Sequence, residues 1–240
     1  MFYQALNIIC EDPSSLGRVD KGNLSPQTLM ELLIDGIQNS HVITGSSNSP
    51  KDVTEWLGLV INSSGEVVEI DFSYENLEGS INWQWLPLSL VDLVLKVNKL
   101  SGSIDLRDLP SRMMLCDLSA NAFIGEISLT SLPDELISLA ISNNKLFGSV
   151  DLTSLPPSML YLYLHSNRFR GRICLLHLPE KIETVSLFKN DFFGETGFSQ
   201  LPKSLKNLNV SFTGLSGEID QSNTGLRNLI VSGSNVNVIK

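Results

Sequence analysis

His165 is the residue whose type could do chemistry, and Ser142, Ser186 and Asp117 are the residues that would have to work with it. A serine nucleophile needs an imidazole within hydrogen-bond reach to take its proton and a carboxylate to hold that imidazole in one tautomer. If these residues lie on neighbouring parallel strands about 4.8 Å apart, Asp117 falls two strands, roughly 10 Å, from His165. That separation argues against a triad. His41 falls in a Ser/Asn/Gly-rich loop and His177 on the far side of the fold. No metal-ligand spacing and no phosphate-cradling glycine loop occurs, and Cys10, Cys116 and Cys174 form no C-x-x-C pair or disulfide framework. The sequence therefore assigns no catalytic residue, no metal ligand and no cofactor. Recognition chemistry is what remains. Tyr161, Tyr163, His165 and Phe188 gather three aromatic rings and an imidazole in a short span, and rigid amphipathic rings are what binding hot spots use.

The element that must position them is a repeat. From Leu90 to Gly217 the pattern L-x-x-L-x-L-x-x-N-x-L/F-x-G recurs, for example as Leu136, Leu139, Ile141, Asn144, Leu146, Gly148 and as Met159, Leu162, Leu164, Asn167, Phe169, Gly171. Its asparagines, Asn98, Asn121, Asn144, Asn167 and Asn190, lie 23 residues apart, and self-similarity at such a period marks a solenoid. Weaker turns with Glu75, Thr213 and Ser234 in the Asn slot bring the count to eight strand-bearing repeats. The L-x-L core alternates at period two, so each repeat holds a short strand whose leucines face inward. Cys116 fills one of those inward slots and reads as a small buried hydrophobe. Each Asn is short, donates and accepts, and can satisfy backbone groups that the bend would otherwise bury unpaired.

This pattern resembles that of leucine-rich repeat (LRR) proteins. The resemblance implies an α/β solenoid: a curved, right-handed superhelix with one parallel β-sheet on its concave face and irregular or short second strands on its convex side. Gly102-Ser103-Ile104-Asp105-Leu106 and Gly148-Ser149-Val150-Asp151-Leu152, each followed by Leu-Pro at 109–110 and 155–156, look like the G-x-I-D-L-x-x-L-P turns of protist LRR proteins, kinetoplastids among them. A β-branched residue two positions after the Gly predicts the second strand there, and Leu-Pro favours extended or turn backbone over helix. Trp56 to Ile61 is similar to the run preceding the first turn of plant-type LRR proteins, but Ile61 stands where that cap has a cysteine and no Cys pair flanks Trp56.

Residues 1–64 do not repeat and read as a helical N-terminal cap, with residues 65–240 as the repeats. Ser25-Pro26 opens a helix running to about Ile37, with Leu29, Leu32, Leu33 and Ile37 on one face. Gln38 to Pro50 reads as a loop, with one further short turn or helix opened by Ser49-Pro50 before Trp56. Trp56 to Ile61 and Glu66 to Ile70 form a hairpin into the first repeat. The six residues after Ser234 are too few to close a last turn, so the C-terminal end reads as uncapped, with a homodimer or subunit contact expected there.

The outward strand positions carry the function. Most are small and polar. Around the aromatic cluster, Lys96, Asp117 and Asn209 complete the predicted partner-binding set, and Asp71, Asp92 and Asp117 form an acidic stripe towards the N-terminal end. A net charge of −9 argues against nucleic acid or an anionic membrane as partner, and no apolar run reaches the roughly 20 residues of a spanning helix. Met1–Cys10 lacks the basic start and apolar core of a secretory signal, so the expected setting is cytoplasmic, or secreted or cell-surface if a leader was removed; the N-x-S/T tripeptides at Asn23, Asn62 and Asn209 would matter only on a secretory route. The expected function is a non-catalytic scaffold that binds a protein or peptide on the concave face. The alternative is an assembly subunit docking through its C-terminal end or convex surface.

Overall fold

The computed structural model describes residues 21–46 and 49–239; the readings placed on Met1–Cys10 lie outside them. Ser25 does cap a helix, accepting from the Thr28 N–H at 3.1 Å, with Pro26 in its first turn. That helix, α1 (Pro26–Ile34), stops short of the predicted Ile37. The reason is a better use of the backbone. Ile37 forms an antiparallel bridge with Gly79, the Gln38 N–H donates to Glu78 O at 2.8 Å, and the Ser80 N–H donates to Gly36 O at 2.9 Å. The chain after α1 therefore lies along the first repeat as a strand-like strap. The predicted loop also contains a one-turn helix, α2 (His41–Thr44), which ends on Gly45 in the left-handed region. The short helical turn before Trp56 exists but spans Val53–Glu55 and is capped by Asp52, whose carboxylate accepts from Thr54, not by Ser49.

From β1 (Leu59–Ile61) onward the chain coils. The described residues form eight coils, each entered by one strand and left by another: β2 (Val67–Asp71) and β3 (Glu78–Ser80), β4 (Asp92–Val94) and β5 (Lys99–Ser101), β6 (Leu115–Asp117) and β7 (Ile124–Gly125), β8 (Ser138–Ala140) and β9 (Lys145–Gly148). The next four are β10 (Tyr161–Tyr163) and β11 (Arg168–Gly171), β12 (Thr184–Ser186) and β13 (Asp191–Glu195), β14 (Asn207–Asn209) and β15 (Gly214–Asp220), β16 (Asn228–Ile230) and β17 (Asn235–Ile239). The entering strands stack into one sheet in the order β1-β2-β4-β6-β8-β10-β12-β14-β16, parallel throughout except for β1, which is antiparallel to β2 as the hairpin reading requires. This is the concave face. The leaving strands make a second parallel sheet, β7-β9-β11-β13-β15-β17, beside a β3–β5 pair. Most of the second strands sit on the x-L/F-x-G segment and end within a residue of the Gly; β15 runs on past Gly217, and Ile219, two residues after it, pairs with Val238. The segments that close each coil hold turns and 3-10 turns such as Leu106–Asp108, and among the described residues α-helix occurs just before the repeats.

Burial follows the leucine pattern closely. Leu139, Ile141, Leu162, Leu164, Val185 and Leu187 are fully buried, as are Cys116 in its leucine slot and Phe123 and Phe169 in the slot after the Asn. Each such side chain contributes about 1.5–3 kcal/mol relative to exposure. The asparagines then lock coil to coil. Asn144 Oδ1 accepts from the Phe123 N–H of the preceding coil at 3.0 Å, while its Nδ2 donates to Leu118 O at 3.0 Å and to Ile141 O at 3.1 Å. Asn98, Asn121, Asn167 and Asn190 repeat this arrangement. Thr213 and Ser234 bond only within their own turns, to Val210 O and Val231 O.

A second device was not visible in the pattern. The residue before each Asn slot has a left-handed backbone without being glycine: Val97, Ala120, Asn143, Ser166 and Lys189, with φ between 52° and 56°. That conformation ordinarily costs roughly 1–2 kcal/mol; it recurs at Tyr74 and Phe212, before Glu75 and Thr213, so it belongs to the turn and not to the Asn. At the far end, Asn235–Ile239 does pair, in parallel register with Ser216–Asp220, so the last residues add a strand to the second sheet where the sequence reading left the coil open.

Candidate partner-binding face

Parallel register puts Tyr161, Thr184 and Asn207 in one row across the concave sheet, and Ala140, Tyr163, Ser186 and Asn209 in the next. His165 and Phe188 follow β10 and β12 by two residues and share a third row. Their rings stack, with centroids 4.3 Å apart and planes inclined by 10°. Tyr163 meets His165 edge-on at 6.3 Å and 84°. All four predicted residues are half-buried, so one side of each ring is packed and the other faces solvent. Ala140 beside Tyr163 has no bulk to cover it.

Polar neighbours hold the cluster. His165 Nδ1 lies 3.1 Å from Ser186 Oγ, within hydrogen-bond distance, with the direction set by the imidazole tautomer. Burial first, and the Lys189 charge second, push the His165 pKa below its ordinary value. Lys189 Nζ stands 6.0 Å over the Phe188 ring, within cation–π range. The Tyr163 hydroxyl is raised in pKa by burial and by Tyr161, with a hydrogen bond to Thr184 acting the other way. Ser186 and Lys189 were not in the predicted set. Ser186 was weighed only as a nucleophile, and Lys189 is hidden by standing in the left-handed slot before Asn190.

Scans against protein-family profiles and curated proteins return no match. Solved structures do match. The plant peptide hormone receptor RGFR1 in complex with RGF2 is 27% identical with a TM-score of 0.57 over 70% of this chain. Pollen receptor kinase 3 is 23% identical with a TM-score of 0.59 over 86% of it, and PEPR1 with AtPEP1 is 20% identical with a TM-score of 0.59 over 88%. The chain has the leucine-rich-repeat solenoid fold. It spans 28% of the RGFR1 chain and 35% of PEPR1, but 96% of pollen receptor kinase 3.

On this LRR face the remaining predicted residues stand apart from the cluster. Lys96 follows β4, three strands from β10, and lies 5.9 Å over the exposed Tyr74 ring. Asp117 ends β6, two strands away, and its Oδ1 is taken by the Ser119 N–H and hydroxyl. It does not reach His165. Asn209 is two strands away on the other side, likewise bonded to the Ser211 N–H and hydroxyl. The acidic stripe splits: Asp71 shares a row with Asp117, and its Oδ1 accepts from the Ser73 N–H, while Asp92 lies in the row of Glu69. Burial raises the pKa of Asp92. Asp71 and Asp117 are thus largely committed to bracing the loop after their strands.

Proposed function

We propose that this LRR protein binds an extended peptide segment of a partner protein across the concave face, centred on Tyr161, Tyr163, His165 and Phe188. The observation that carries the reading is the stacked and edge-on aromatic cluster on two adjacent strands, half-exposed on a sheet face whose other outward residues are mostly small and polar. Such rings lose little conformational entropy on binding. One structural neighbour, RGFR1, is a peptide hormone receptor solved with RGF2, which supports a peptide partner here.

The polar groups around the cluster give it direction. A half-buried imidazole held neutral offers its Nε2 to the peptide backbone, Ser186 fixes the ring plane, and Lys189 places a positive charge at the edge. The peptide best suited is apolar or aromatic at its centre and presents a backbone group to His165.

A displayed peptide library panned on the intact chain tests this, with the Tyr163→Ala/Phe188→Ala variant as counter-screen. Truncating a hot-spot ring costs about 2 kcal/mol or more, so selected peptides should weaken by roughly thirtyfold or more. Peptides that bind the double variant equally well, with its circular dichroism unchanged, would place the site elsewhere.

A further inference from the structure

Along one edge of the concave sheet, one residue before its first outward row, the chain turns a corner on every coil. Successive corners hold Val91, Met114, Ile137 and Leu160, then Glu183 and Lys206. They form a single row, because each N–H donates to the carbonyl of the corner residue on the preceding coil, at 2.8 Å from Met114 to Val91, from Ile137 to Met114 and from Leu160 to Ile137. Four consecutive corners are therefore apolar. Val91, Ile137 and Leu160 are half-buried and Met114 is 39% exposed. The row then changes character, since Glu183 and Lys206 pair with each other at 2.6 Å.

Met114, Ile137 and Leu160 line a shallow depression of about 370 Å³, completed by Glu135, Ser158 and Lys181. Its lining thus carries one charge of each sign and selects neither. Apolar surface leaves the concave aromatic cluster by this route. Beside Tyr161 and Tyr163, β8 presents Ser138 and Ala140, and beyond Thr184 and Ser186 of β12, β14 presents Asn207 and Asn209. Tyr161, by contrast, directly follows Leu160, and the Ile137 carbonyl accepts from both of their N–H groups, at 2.8 Å from Leu160 and 3.1 Å from Tyr161. The cluster and the depression are parts of one apolar surface that bends over the edge of the sheet.

We propose that the depression between Met114, Ile137 and Leu160 is a second anchor site for the concave-face peptide, taking an uncharged apolar side chain where the peptide passes over the edge of the sheet. The proposal rests on the concave reading of the aromatic cluster and adds a specificity to it. Tyr163 lies three residues from Leu160 and His165 lies five, roughly 10 and 17 Å along the strand direction at about 3.3 Å per residue. The two anchor residues of an extended peptide therefore stand three to five positions apart. A side chain seated in a pocket from which water is excluded is what binding hot spots share. Area argues against a second copy of the chain as occupant. A stable interface takes about 800 Å² from each partner, and a row of four partly covered side chains supplies far less.

A displayed random peptide library panned on the intact chain and on its Met114→Ser/Leu160→Ser variant tests this. Peptides selected on the intact chain should share two apolar residues three to five positions apart and bind the variant at least tenfold more weakly. Peptides selected on the variant should keep the central residue and lose the second. A benzophenone side chain put in place of that second residue should cross-link to Met114, Ile137, Leu160 or their neighbours on the unaltered chain, a readout that needs no variant to fold. Peptides weakened by Tyr163→Ala/Phe188→Ala but indifferent to Met114→Ser/Leu160→Ser, or a cross-link to Asn207 or Asn209, would overturn the second anchor and leave the concave site standing. Peptides indifferent to both variants would overturn both. A dimer in light scattering that Met114→Ser/Leu160→Ser dissolves would give the row to a second copy and overturn the proposal as well.

Discussion

Asn144→Ala measures how much of the solenoid's stability comes from its coil-to-coil locks. The substitution removes the acceptor of the Phe123 N–H and the donor to Leu118 O and Ile141 O, all within the ladder. Leaving one buried backbone group unpaired costs about 1–3 kcal/mol. The N–H is a strict loss, while the carbonyls retain a second lone pair, so about 3 kcal/mol is the expected total. Thr213→Ala removes the hydroxyl bond to Val210 O and a long 3.4 Å bond accepted from the Leu215 N–H, both within its own turn, and leaves the preceding coil untouched, which should cost about 1 kcal/mol. Converted at about 2–4 °C per kcal/mol for a chain of this size, Asn144→Ala should melt roughly 6–12 °C lower and Thr213→Ala roughly 2–4 °C lower. Asn144→Asp is the informative control, since it keeps the acceptor for Phe123 but sets a carboxylate against two carbonyls; it should be at least as damaging as Ala. Thermal and urea melts on the three variants decide it. Equal losses for Asn144→Ala and Thr213→Ala, or an Asp variant close to wild type, would refute the bridging role.

The other predictions are quick to check. Gly79→Ala should destabilise by about 3 kcal/mol or more, because Gly79 has φ of +109° and a Cβ there would stand 2.1 Å from Gly36 O, whereas a Cβ at Gly65 meets nothing within 4 Å; similar melts for the two variants would contradict the strap. In an NMR titration the His165 imidazole should have a midpoint below about 6.5. Its folded pKa is depressed, so folding disfavours protonation and stability should fall as pH drops below that value towards the folded midpoint; Lys189→Gln should raise the midpoint, and a wild-type midpoint above 6.5 would refute the arrangement. Burial raises the Cys116 thiol far above its ordinary pKa, while Cys174 is half-buried, so alkylation of the native protein should label Cys174 and spare Cys116 until denaturant is added.

How much of this was legible in the sequence varies by element. The first sheet was, because Leu162 and Leu164 and their equivalents state which side chains face inward, and period two then fixes which face outward. That is why Tyr161, Tyr163, His165 and Phe188 could be placed together. The asparagine bridges were legible as a need for satisfied backbone, though not as contacts to the preceding coil. The left-handed residues were not, since Val97, Ala120 and Lys189 share no chemistry; the conformation belongs to the turn itself and recurs at Tyr74 and Phe212, where no Asn follows. The strap after α1 was missed because Ile37 continues the helical spacing, and only pairing with Gly79, a long-range contact, draws it out of the helix. The bracing of Asp117 and Asn209 by serines two residues on was missed for the opposite reason, since it is local and weak enough to be overlooked beside the stronger repeat.

The most direct test of the concave site is hydrogen exchange on the intact chain with and without a peptide selected on it. Binding should slow the amides around 161–166 and 184–189 and leave those of β4 and β6 unchanged, with the effect lost in Tyr163→Ala/Phe188→Ala. Protection concentrated in β4 and β6, or retained in the double variant, would contradict a partner seated on the aromatic cluster.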